Sequence, residues 1–173
     1  MEEVTTEQLV LALSNPEYVS HTHLLLNTLN DRVVDNIDTL DEVIVNDICD
    51  YIIKSTLKMI KSRSIIAEDL NTCLGILVNL TISEAHSQVF VDKYYNGINS
   101  PFALISLKYL DNNCQIEPSD TDINWVDYDP WQYIGNVLCN LMRIETGRKL
   151  ILTKSSRHMN MLVDQVFIPY YTT

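Results

Sequence analysis

Two asparagines inside an otherwise apolar run are the residues whose type and spacing point most clearly to a molecular role. The run WQYIGNVLCNLM contains Asn136 and Asn140, four residues apart and so on one face of a helix. Asn79 and Asn27 hold similar positions in ILVNLT and LLLNTL. An amide donates and accepts hydrogen bonds, so a row of amides can bind an extended peptide or can hold neighbouring helices together. The sequence leaves both interpretations open.

Other combinations that could do chemistry are weaker. His21 and His23 are two residues apart, which places them on different sides of a helix, and the aspartates near residues 120–129 lack the glycine and final glutamate of an EF-hand loop. The chain contains no G-x-S-x-G sequence, no P-loop and no glycine-rich turn after a strand. We therefore predict no catalytic residues, no metal site and no cofactor. An enzyme with an unrecognised site is retained as an alternative.

The elements that must position these residues are helices. Apolar residues recur at intervals of three and four, and Asn15-Pro16, Ser100-Pro101 and Asp129-Pro130 each place a capping side chain before a first-turn proline. Thr5 and Gln8 have the spacing of a capping box. The predicted helices are 5–14, 16–29, 42–61, 64–81, 83–94, 100–110, 129–144, 146–153 and 155–167, with strand content close to none.

Similar helix ends indicate an internal repeat. Asn79 and Asn140 are 61 residues apart, and removal of the acidic, aperiodic residues 111–129 reduces the interval to 42, within the length of HEAT and armadillo units. We predict an all-α fold: a single domain over residues 1–173, built as an armadillo/HEAT-like α-solenoid of about three helical repeats, with 111–129 as an acidic inserted loop.

Charge and cysteine usage limit the partners and the compartment. Twelve bases and 23 acids give a net charge of −11, which opposes binding to nucleic acid and to anionic membranes. Three of the four cysteines fall in apolar helical runs, as expected of free buried thiols in a reducing compartment. No signal sequence or membrane-spanning run is evident. We expect a cytoplasmic protein, with the nucleus as an alternative.

Three segments together resemble the HGH-homologue family of armadillo-type helical-repeat proteins. They are LVLALSNPEYVSHTHLLLNTL, GILVNLTISEAHSQVFV and NVLCNLMRIETGRKLIL, and the likeness extends in order from Leu9 to about Phe167. Its most specific parts are Val78–Thr81 and Asn136–Arg148. Members of that family are longer than this chain, so the resemblance implies an amino-terminal portion or a short form.

The resemblance implies a chaperone adaptor that assists folding of translation elongation factor 2 together with the cytosolic chaperonin. On this hypothesis Asn79, Asn136 and Asn140 form the client-binding face, and Arg143 and Arg148 contact client carboxylates. An armadillo adaptor for basic peptides, such as nuclear localisation segments, is the alternative that the acidic charge favours.

Overall fold

The computed structural model describes residues 4–62, 64–94, 115–117 and 130–154. Seven α-helices lie in these ranges, and a 3-10 helix (Pro16–His21) joins the first two. The helices are α1 (Thr6–Ser14), α2 (Thr22–Asn36), α3 (Glu42–Ser62), α4 (Ala67–Ile82), α5 (Glu84–Tyr94), α6 (Pro130–Leu141) and α7 (Glu145–Lys154). The all-α prediction is confirmed. The predicted helices at 100–110 and 155–167 and most of the 111–129 loop lie outside the described residues.

Two of the predicted helix starts show the expected capping. Gln8 N–H donates to Thr5 Oγ1 at 3.3 Å while Thr5 N–H donates to Gln8 Oε1 at 2.9 Å, which is a complete capping box. Asn15 accepts from Glu17 N–H at 3.0 Å in front of Pro16. These local signals are readable in the sequence because the donor and the acceptor are at most three residues apart.

The structure corrects several predicted boundaries. The predicted helix 16–29 is divided between the 3-10 helix Pro16–His21 and α2, and the helix predicted at 129–144 ends at Leu141. α2 continues to Asn36 rather than ending at 29, because Val33 extends the buried stripe of Leu26 and Leu29 by one more turn. α4 starts at Ala67 rather than 64. Residues Ser64–Ile66 instead form strand β1, which pairs in parallel with β2 (Gln115–Glu117). This three-residue pairing is non-local and joins the start of α4 to the 111–129 segment.

The helices pack in two layers. In one layer α4 lies between α2 and α6, and in the other α3 lies between α1 and α5, with α7 against α5. The core fills the space between the layers, and its largest fully buried side chains are Phe90, Leu26, Leu29, Ile48, Ile52, Leu70, Leu74, Ile76, Leu80 and Ile134. Among the described helices, none is long and apolar enough to cross a membrane.

The cysteine prediction is partly wrong. Cys49 and Cys73 are buried, as expected, whereas Cys139 is exposed. Cys139 directly precedes Asn140 on α6, and its neighbour Leu138 is the residue that faces the core. Cys114 lies outside the described residues.

Candidate functional site

The layer formed by α2, α4 and α6 carries the asparagines. Hydrogen bonds connect residues near the start of α2 to residues near the start of α4, and residues further along α2 to residues further along α4. The pairs are His23 with Asp69, Asn27 with Thr72, and Asn30 with Asn79. Between α4 and α6 the order is the same, from Gly75 with Tyr133 to Ile82 with Arg143. The three helices therefore run parallel to one another.

The outward face of α4 is a single stripe of residues at helical spacing. This α4 stripe consists of Glu68, Thr72, Gly75, Asn79 and Ile82, none of which is buried. At its centre Thr72 has a small side chain and Gly75 has none, and amide-bearing residues of α2 and α6 border the stripe on both sides. The stripe is therefore a polar surface with an acidic first end and an apolar last residue.

Asn79 and Asn140 both bond to the neighbouring helix. Asn79 Nδ2 donates to Asn30 Oδ1 at 3.0 Å, which connects α4 to α2. Asn140 Nδ2 donates to Val78 O at 3.3 Å and to Thr81 Oγ1 at 3.2 Å, which connects α6 to α4. These are the contacts that the packing interpretation of the asparagines requires. Client binding by the same residues stays a prediction.

Asn136 differs from Asn140 although the two share a helix. Its side chain is exposed and has no hydrogen-bond partner among the described residues. The spacing of four residues predicts that both side chains lie on one side of α6. Only the Asn140 amide is within hydrogen-bond distance of the neighbouring α4. Among the predicted site residues, Asn136 is the one whose amide is presented to solvent.

The two predicted arginines contact helix ends: Arg143 contacts the junction of α4 and α5, and Arg148 the corner between α6 and α7. Arg143 Nη1 donates to Ile82 O at 3.1 Å, and its Nη2 lies 3.8 Å from Glu84 Oε1. Arg148 Nη1 donates to the carbonyls of Met142 at 3.0 Å and Arg143 at 2.9 Å, which have no partner within a helix that is ending there. Both guanidinium groups thus contact main-chain carbonyls and remain exposed, and that of Arg143 lies beside the last residue of the α4 stripe.

A polar cluster that the sequence analysis missed lies at the other end of the stripe. His23 Nε2 lies 2.9 Å from Glu68 Oε1, and His23 Nδ1 lies 3.3 Å from Asp69 Oδ1. Asn27 Nδ2 also lies 2.9 Å from His23 Nε2, and its own Oδ1 accepts from Thr72 Oγ1 at 3.2 Å. An Nε2 that carries no proton can accept a hydrogen bond from Asn27, whereas an Nε2 that carries a proton can donate one to Glu68. No sequence signal joins these residues, because His23 and Glu68 are on different helices.

Burial changes the acidity of the groups beneath this cluster. Desolvation raises the pKa of Asp69, and its hydrogen bond and charge interaction with His23 only partly oppose this. Desolvation raises the pKa of the fully buried Cys73 thiol to about 12, so this cysteine is not a nucleophile. The pKa of Tyr51 is also raised, chiefly by desolvation.

The raised pKa of Asp69 predicts a particular pH dependence of stability. The folded state holds this proton more tightly than the unfolded chain, so the resulting stabilisation is complete below about pH 4 and is lost as pH rises through the folded pKa. We expect the free energy of unfolding of the wild type, relative to Asp69→Asn, to decrease from about pH 4 towards neutrality. Urea unfolding of both chains across this range measures the difference. If the free energy of unfolding of the wild type relative to Asp69→Asn instead increased with pH, the raised pKa of Asp69 would be contradicted.

The described residues contain no group of three His, Cys, Asp or Glu side chains arranged to hold a metal ion. His21 and His23 diverge: His23 faces α4, while His21 is exposed at the end of the 3-10 helix. The aspartates near 120–129 lie outside the described residues.

Comparison with known proteins adds no relative. No protein-family model, curated protein or solved structure matches the chain. The fold and the site therefore define a class, an all-α domain of two helical layers with a polar stripe on one of them. The likeness to the HGH-homologue family stays a hypothesis.

Proposed function

We propose that this protein is a non-enzymatic scaffold that binds other proteins through the α4 stripe and its borders. The observation that carries the proposal is the exposed amide of Asn136 beside a stripe of unburied polar and small residues. Amides on a rigid helical layer can bind the backbone of an extended segment whatever its side chains, because they supply both a donor and an acceptor.

The arrangement of the layers supports a repeat interpretation. Parallel helices that are neighbours in one layer must be joined by return helices, and here α3 and α5 lie in the other layer. Such a succession of helical pairs is typical of α-solenoids, which present extended binding surfaces. We read α1–α2, α3–α4 and α5–α6 as about three armadillo/HEAT-like repeats, with the acidic 111–129 loop inserted in the last.

The particular role that we propose rests on the family resemblance. The chain acts as a cytoplasmic chaperone adaptor that binds translation elongation factor 2 while it folds and cooperates with the cytosolic chaperonin. Asn136 contacts the client backbone, and Arg143 and Arg148 contact client carboxylates near the end of the stripe. Asn79 and Asn140 shape the same surface.

Binding to purified partners tests the proposal. The full chain is immobilised and exposed to elongation factor 2 that is refolding from denaturant, and separately to chaperonin. We expect Asn136→Ala to reduce binding of elongation factor 2 by about fivefold, the loss of roughly one hydrogen bond, while helicity and Tm are retained. Asp47→Ala, at an exposed position on α3 in the other layer, is the control and should leave binding unchanged. Absence of binding to both partners would overturn the chaperone role.

The acidic end of the stripe favours a second candidate, an adaptor for poly-basic segments. Glu68 and Asp69 lie together there, and the chain as a whole is acidic. This function requires an affinity that increases with each added lysine and decreases steeply with salt. A poly-lysine peptide that binds no better than a neutral one would exclude it.

A further inference from the structure

The α4 stripe has chemically different ends, and the difference specifies the segment that it can bind. Glu68 lies at its first end, with Asp69 and His23 beneath and beside it. Ile82 lies at its last end and is 52% exposed, and Met142 at the end of the adjacent α6 is 39% exposed. A peptide whose side chains are all basic or all apolar would complement only one of these ends.

The spacing of the two ends is set by the helix. Fourteen residues separate Glu68 from Ile82, which at about 1.5 Å per residue is about 21 Å. An extended peptide covers that distance in about six residues at roughly 3.3 Å each. Between the ends, Thr72 has a short side chain and Gly75 has none, so the peptide can lie close to α4. Asn136 at the border of the stripe can form a hydrogen bond with the peptide backbone.

We propose that the α4 stripe binds an extended segment that carries a lysine or arginine against Glu68 and, about six residues away, an apolar side chain against Ile82. This inference rests on the proposed scaffold function and names the class of segment that the scaffold selects. The cation complements the Glu68 carboxylate, and burial of the apolar side chain removes Ile82 from water.

His23 occupies only part of the acidic end. Its Nε2 lies 2.9 Å from Glu68 Oε1, yet the Glu68 side chain remains 33% exposed, so a partner's cation can approach the carboxylate from the solvent side. Asp69, whose Oδ1 lies 3.3 Å from His23 Nδ1, adds a second carboxylate at the same end.

Fluorescence anisotropy with short labelled peptides tests the inference. The probe is a nine-residue glycine-serine peptide that contains one lysine and one leucine six residues apart. Two comparison peptides have the lysine replaced by glutamine or the two residues placed three apart. We expect each change to weaken binding by about fivefold, the factor contributed by one exposed ion pair or one apolar contact.

Two variants of the chain locate the contact. Glu68→Gln should weaken binding of the lysine peptide about fivefold and leave the glutamine peptide unchanged. Glu42→Gln is the matched control, because Glu42 is likewise a first-turn acid but lies on α3 in the other layer. Equal affinity of the two variants, or equal affinity of the lysine and glutamine peptides, would overturn the inference.

The same variants separate this inference from the function on which it rests. If refolding elongation factor 2 binds the wild type and Glu68→Gln equally, the scaffold function stands and the proposed segment is wrong. If the lysine peptide binds as expected but elongation factor 2 does not, the segment preference stands and the chaperone role fails.

Discussion

Replacement of Gly147 by alanine should lower the free energy of unfolding by about 3 kcal/mol and Tm by roughly 6 to 12 °C. A β-carbon at Gly147 would overlap the carbonyl oxygen of Leu141, and it would lie 2.8 Å from the carbonyl carbon and 3.2 Å from Ile144 Cγ1. The main-chain atoms belong to the end of α6 and cannot turn aside as a flexible side chain can. The corner between α6 and α7 would have to open, and the contacts of Arg148 with that corner would be lost.

Gly75→Ala is the matched control for this prediction. A β-carbon at Gly75 meets only Tyr133 Cε1, at 3.7 Å, which is an ordinary contact. Alanine also favours a helix interior over glycine by about 1 kcal/mol, so Gly75→Ala should be neutral or stabilising. Thermal unfolding followed by circular dichroism compares the two chains. A Gly147→Ala protein as stable as the wild type would show that the corner is not as tightly packed as the structure indicates.

The second large effect is expected at Asn140. Asn140→Ala removes the two hydrogen bonds that its amide donates to Val78 O and Thr81 Oγ1, and we expect a loss of about 1 to 2 kcal/mol. Asn136→Ala removes no bond to a described residue, so its effect on stability should be within about 0.5 kcal/mol. Both substitutions bring the same gain in helix propensity, so the difference between them isolates the contacts with α4.

Urea unfolding of the two variants measures that difference, and the elongation factor assay completes the comparison. The packing interpretation holds for Asn140 if its loss of stability exceeds that of Asn136→Ala by at least about 1 kcal/mol. If Asn140→Ala unfolds like the wild type but binds its client poorly, the client-binding interpretation replaces it. The two amides thus report separately on stacking of the helices and on binding.

The sequence was most informative where the cause of a structure is local. The capping box of Thr5 and Gln8, and the continuous apolar periodicity of α3, were readable because each depends on residues within one or two turns. The helices predicted at 129–144 and 146–153 put the break at residue 145, but α6 ends at Leu141 and α7 begins at Glu145, so Gly147 lies in the first turn of α7. Glycine is required there by the close approach of Leu141, and no pattern in a single sequence reveals such an approach.

The all-α class and the presence of Asn27, Asn79 and Asn140 within helices were determined by the sequence alone, because hydrophobic periodicity and capping act over a few residues. Only the tertiary structure decided that Asn79 and Asn140 bond to neighbouring helices while Asn136 faces solvent. It also brought His23 beside Glu68 and Asp69. The physical reason is that a hydrogen bond between helices depends on their relative register, which is set by packing of the whole core and not by the spacing of residues within either helix.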